Sequence, residues 1–201
     1  MNRTLFLLLF SVLSAVYASS QAAETATAPV SGTCSLKPDQ LDALLALPFL
    51  KFDQDQSGGW RELQYKGCVL EAAMTIDAYL VDAPEQMKTV TREDLYFHAG
   101  QLYAWSGLKK LAARRFLRSF NLHETGDEEL AWNPYVLATV AFLQGDREEF
   151  DHQRKLLSLG KSTPENKINL GVVDGLGKCF DRPYLDAYST ACRAGSQVVH
   201  P

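Results

Sequence analysis

Between Tyr96 and Phe120 the chain carries the pattern of a helical hairpin. Tyr96, Ala99, Gly100 and Tyr103 precede a break at Gly107, and Ala112 and Phe116 follow it. Small residues stand where two helices must approach closely, and large ones where they fill the space between. A tight turn at Gly107 separates the two halves. This hairpin points to an architecture of stacked helical pairs, which usually presents a surface for binding.

The rest of the organised chain also reads as helix. Pro38 lies in the first turn of a helix whose apolar face is Leu41, Leu44, Leu45 and Leu47, and Pro48 ends it. A polar loop spans Asp53 to Gly59. Trp60 to Lys66 and Leu70 to Val81 form a first pair, Glu93 to Ser106 and Leu108 to Asn121 a second, and Asn133 to Gln144 and Arg147 to Leu159 a third. Convincing period-two alternation is missing, so the expectation is all-α. The tail, with Ile168, Leu170, Val172, Val173 and Leu176 followed by Cys179-Phe180, reads as one helix closed by a disulfide-held turn that covers the last pair.

The turn glycines Gly67, Gly107 and Gly145 recur at nearly even spacing, a mark of stacked helical pairs. On these residues the chain resembles a tetratricopeptide-like helical repeat. The match is best in the middle unit, where Tyr96, Ala99, Gly100, Tyr103, Gly107, Ala112 and Phe116 stand at the motif positions. The first unit keeps Gly67, Ala72 and a closing Pro84. The third keeps Leu137, Ala138 and Gly145 but has Phe150 where the family prefers a small residue. The resemblance covers roughly residues 55 to 160, and its repeat is longer than the family's usual length. It implies stacked antiparallel hairpins in a right-handed superhelix with helical caps at both ends. A closed helical bundle without a groove is the competing arrangement.

In the superhelix the first helix of each pair would line the concave face. Arg61 and Tyr65 would come from the first pair, Phe97, Gln101 and Trp105 from the second, and Trp132, Tyr135 and Thr139 from the third. Aromatic area with a few polar groups suits a peptide groove.

The first residues concern the compartment. A basic start at Arg3, an apolar run from Leu5 to Val16 and small residues from Ala18 to Ala23 read as a secretory signal over 1–23, with Ala18 and Ala23 both suitable for cleavage. An apolar run of about 12 residues is shorter than the ~20 a membrane span needs. Residues 24–33, rich in Ala, Thr, Ser, Pro and Gly, read as a flexible lead-in, and 34–200 as one domain. The four cysteines, Cys34, Cys68, Cys179 and Cys192, fit a disulfide framework in an exported chain, with three possible connectivities. Pairing Cys34 with Cys68 and Cys179 with Cys192 is preferred, because each bond would tie one end of a stack where it frays. The expected location is periplasmic or secreted. A net charge of -4 gives no sign of nucleic-acid affinity.

Motifs for catalysis are weak. There is no Gly-x-Ser-x-Gly, no His-Glu-x-x-His and no phosphate-cradling loop, and no two of His98, His123, His152 and His200 lie three or four apart. Asp53, Asp55, Ser57 and Gly58 fit the first half of a calcium loop, but its twelfth position is Gln64 rather than a bidentate Glu, so a plain polar turn is expected. No metal or other cofactor is expected. Lys110, Arg114 and Arg118, with Lys109 and Arg115 beside them, form a basic stripe, read either as a solvated face or as a docking strip for an acidic partner. Together these readings suggest a non-enzymatic binder of a peptide or protein in the cell envelope: a scaffold, an assembly factor or an inhibitor. The alternative is an enzyme whose site lies in the same helical groove.

Overall fold

Three helices of this chain end in the same way. Gly67, Gly107 and Gly145 adopt φ of 80°, 77° and 73°, where a side chain would be strained. The residue after each glycine donates its N–H to a carbonyl five positions back, Cys68 to Leu63, Leu108 to Tyr103 and Asp146 to Ala141, each at 2.9 Å. This is the Schellman arrangement, which satisfies the last carbonyls of a helix and turns the chain sharply. A new helix starts within two residues of each glycine.

The structure, a computed structural model, describes residues 34–81, 89–125 and 130–193. The signal over 1–23 and the lead-in over 24–33 lie outside the described residues, as do Pro84 and His200. Helices joined by turns and loops make up the described residues, with no strand among them. In order they form α1 (Pro38–Leu45), α2 (Phe49–Phe52), α3 (Gly59–Tyr65), α4 (Val69–Val81), α5 (Thr89–Trp105), α6 (Lys109–Arg118), α7 (Trp132–Gln144), α8 (Arg147–Leu159), α9 (Pro164–Lys178), α10 (Tyr184–Ala187) and α11 (Thr190–Arg193). Pro48 ends the first helix as expected but also caps the unforeseen α2. The α5 helix begins four residues before Glu93. The tail is one long helix followed by two short ones.

From α3 to α9 each helix packs on the next, and α9 also packs on α7. The α5–α6 pair packs closely. A Cβ placed on Gly100 would lie 2.8–2.9 Å from three ring atoms of Phe116. Both residues are buried, so the two backbones approach where the sequence has its small residue. Leu95, Leu102, Ala99 and Ala112 complete this layer with no exposed surface. Asp77 of α4 then joins three helices. It accepts from the Tyr103 hydroxyl at 2.7 Å and from Nε and Nη2 of Arg115 at 2.6 and 2.7 Å. Such a bidentate pair fixes orientation as well as charge.

The ends are held covalently. Cys34 is bonded to Cys68 and Cys179 to Cys192, across 34 and 13 residues. The first bond fastens the segment before α1 to the start of α4, and the second fastens the end of α9 to α11. Two disulfides fit an oxidising compartment. No helix among the described residues is long and apolar enough to cross a membrane.

A polar cleft across alternate helices

The site begins at the end of α2. Asp53 has no exposed surface, although it belongs to a polar loop. Its carboxylate accepts from the indole N–H of Trp60 at 2.8 Å, and the same oxygen lies 2.8 Å from Nδ1 of His98 on α5. Gln54 donates to the second oxygen. The Arg61 guanidinium donates to the Asp53 backbone carbonyl, stands 3.7 Å from the carboxylate and lies 4.1 Å over the Trp60 ring. The loop reaches this geometry through Gly59, whose φ of 56° brings it against the Phe52 carbonyl where a Cβ has no room.

These partners decide the ionisation of Asp53. Burial alone would push the carboxyl up. The hydrogen bond and charge of His98, the Trp60 N–H and the Arg61 charge outweigh it, and hold the group below its ordinary value of 3.8. With Nδ1 turned to a carboxylate, Nε2 is the His98 nitrogen left to meet a ligand or water.

His98 lines a cleft of about 380 Å³. Arg61 and Gln54 stand at one end. Asp94, Phe97, His98 and Gln101 come from α5, Trp132 and Tyr135 from α7, Asn169 from α9, and Tyr188 from just beyond α10. Gln101 donates to the Tyr188 hydroxyl at 3.2 Å. Phe97, Trp132 and Tyr135 pack on one another at centroid distances of 4.8 to 5.9 Å, giving an aromatic wall. Asp94 has no hydrogen bond or ion pair among the described residues. Burial raises its pKa, His98 draws it partly back, and the nearby Asp53 charge adds to the rise. The cleft thus holds convergent donors and acceptors beside aromatic area, the usual make-up of a ligand site.

Five of the eight residues expected in a groove, Arg61, Phe97, Gln101, Trp132 and Tyr135, line this cleft. Phe97 and Tyr135 do so as largely buried walls. The other three do not line it. Tyr65, in the last turn of α3, is 68% exposed and is not among the residues that line the cleft. Thr139 is fully buried and returns its hydroxyl to the Tyr135 carbonyl at 2.9 Å, so it serves the core of α7. Trp105 packs its ring 5.6 Å from Tyr188, and its buried indole N–H has no partner among the described residues.

Several residues of the cleft were not expected from the sequence. On α5 Asp94 stands three positions before Phe97, and His98 three before Gln101, so the expected pair already implied that face of the helix. Nothing local marks Asn169 and Tyr188, which arrive from the tail. The Asp53 loop is the polar turn expected: Asp55 accepts from the Ser57 N–H and hydroxyl at 3.1 and 3.2 Å, while the Asp53 carboxylate faces inward. Among the described residues, Cys34, Cys68 and Glu71 are close enough to share an ion, but the two sulfurs are spent in a disulfide.

No protein-family model, curated protein or solved structure matches the chain.

Proposed function

We propose that this chain is an exported, tetratricopeptide-like helical-repeat protein that binds a peptide or protein segment in the Arg61–Gln101–Asn169 cleft and performs no catalysis. One observation carries the reading: the cleft takes its walls from α3, α5, α7 and α9, which is every second helix. In stacked hairpins the first helices of successive pairs line a concave face, whereas a closed bundle gives no such alternation. The same glycine turn at 67, 107 and 145 supports a repeating unit, and a right-handed superhelical stack is part of the proposal through the tetratricopeptide resemblance. On this reading α1–α2 and α10–α11 are end caps, each held by a disulfide. The apolar start of the chain and the two disulfides favour the periplasm or the exterior.

The test is a random-peptide display screen against the purified protein, repeated with Gln101→Trp and Asn169→Trp, two half-exposed positions where an indole fills the cleft. Peptides that bind the native protein and are lost with either filler support the proposal. Peptides indifferent to both fillers overturn it.

The Asp53–His98 couple favours a second reading. A buried carboxylate that orients an imidazole at a cleft is how a general base is held. An enzyme would show turnover of some ester, amide or phosphoester substrate that His98→Gln abolishes without altering the fold. Binding unaccompanied by turnover keeps the first reading.

A further inference from the structure

The chain carries a second concave surface that shares no residue with the cleft. Two hollows of about 670 and 610 Å³ adjoin one another along Gly107, Lys109, Leu143 and Gln144. They run from the outer side of α6, past the end of α7, to the α9–α10 loop. The floor offers Leu111 and Leu117, exposed at 37% and 48%. The rim carries Lys109, Lys110 and Arg114.

The cations of α6 differ from several on other helices in having no acidic neighbour one turn away. On other helices Lys66 pairs with Glu62, and Arg147 with Asp151, one turn away. The α6 helix, KKLAARRFLR, has five basic residues and no acid. Arg115 is tied to Asp77, and Arg118 lies 5.5 Å over the Tyr96 ring. Lys109, Lys110 and Arg114 have no hydrogen-bond or ion-pair partner for their side chains among the described residues. Three unpaired cations thus surround exposed leucines in a molecule of net charge -4.

We propose that this groove docks an acidic, leucine-bearing helical segment of a partner protein. Charge complementarity supplies the sign, and the leucine floor supplies the apolar stripe that a helix in a groove presents at i, i+3, i+4 and i+7. A protein segment fits better than a lipid surface, because Leu111 and Leu117 line a hollow together with the Gly107 turn, Leu143 and Gln144, whereas membrane insertion needs apolar side chains that protrude. It also fits better than nucleic acid, because Asp181 stands in the wall and the rings that line the groove, Phe142 and Phe180, are buried and half-buried rather than free to stack on a base.

The probe is a fluorescent helical peptide with Leu at i, i+3, i+4 and i+7 and Glu at most other positions, titrated into the full-length protein by anisotropy. Binding is expected to weaken with salt. The double variant Lys110→Glu with Arg114→Glu should weaken it at least tenfold, and so should Leu117→Ser. Both changes are at exposed positions, so unfolding curves should stay close to native. A Lys/Leu version of the peptide should not bind, and Gln101→Trp should leave the Glu/Leu peptide's affinity unchanged, which separates this groove from the cleft. Absence of binding, or equal affinity in the charge-reversed variant, overturns the proposal. So does sedimentation with anionic phosphatidylglycerol vesicles that outcompetes the peptide, since the groove would then serve a membrane.

Discussion

The Asp53 carboxylate, with none of its surface exposed, meets Nδ1 of His98 at 2.8 Å across 45 residues of chain. It thereby connects the loop after α2 to the face of α5 that lines the cleft. Removing a buried carboxylate that is hydrogen-bonded and faces a guanidinium leaves the groups around it uncompensated, at about 3 kcal/mol or more. Asp53→Ala is therefore expected to lower stability by about 3 kcal/mol in urea unfolding. It should also loosen Trp60, whose indole N–H loses its acceptor, and Arg61, which keeps the backbone carbonyl but loses its counter-charge at 3.7 Å. A loss below about 1 kcal/mol would mean that the couple is not formed in solution.

The pH dependence follows from the direction of the shift. Asp53 is held below its ordinary 3.8 in the folded protein. Its stabilising contribution is present above the unfolded value and is lost as pH falls through the lower folded value. The native protein should lose stability below about pH 4 more steeply than Asp53→Asn, which has no proton to take up. Parallel unfolding curves for the two proteins between pH 2 and 5 would refute this.

Asp94 behaves in the opposite sense. Burial raises its pKa above 3.8, so its contribution to stability is full below the unfolded value and is lost as pH rises through the folded one. Asp94→Asn is expected to be more stable than the native protein at pH 7, with the difference vanishing below about pH 4. A destabilised Asp94→Asn at neutral pH would show that the carboxylate has a partner in solution. A residue that costs stability at a cleft is one that function can be retaining.

Gly100 should resist substitution. In an exposed helix Gly→Ala gains about 1 kcal/mol of propensity. Here the new methyl would lie 2.8 Å from the ring of Phe116, which is fully buried and cannot withdraw. Overpacking of about 1–3 kcal/mol should outweigh the propensity gain. Gly100→Ala should lose about 1 kcal/mol net and Gly100→Leu about 3 kcal/mol or more. Trimming the ring with Phe116→Leu in the same chain should restore part of the loss. A stabilised Gly100→Ala would remove the close approach of α5 and α6.

The two disulfides should differ in worth. Loop closure costs the unfolded chain more when the loop is longer. The Cys34–Cys68 bond closes 34 residues and the Cys179–Cys192 bond 13. Replacing the first pair by serine is expected to cost about 4 kcal/mol and the second about 3 kcal/mol, read from unfolding midpoints. The reverse order would mean that the α9–α11 cap carries more of the fold than the α1–α4 end.

Secondary structure was legible in advance because its causes are local. The spacing of Tyr96, Ala99, Gly100 and Tyr103 sets a helix face, and Gly67, Gly107 and Gly145 stop helices wherever the chain is read. The preferred cysteine pairing also agrees with the structure, because each bond spans a short stretch at one end. Beyond that range the local signals fail. Pro48 marked a stop but hid the start of α2, since a proline suits both the end of one helix and the cap of the next. Tyr65 and Thr139 were assigned by counting along ideal helices. Which side of a helix faces the cleft depends on the angle of its neighbour, and that angle is set by side chains on several elements at once. The sequence by itself determined the long helices of the three pairs, their glycine turns and the residues that bring α5 against α6. Only the tertiary structure decided that a loop aspartate is buried, that it faces a histidine 45 residues away and that the tail supplies Asn169 and Tyr188 to the same cleft. Burial and charge pairing are properties of the assembled packing, and no stretch of chain carries them alone.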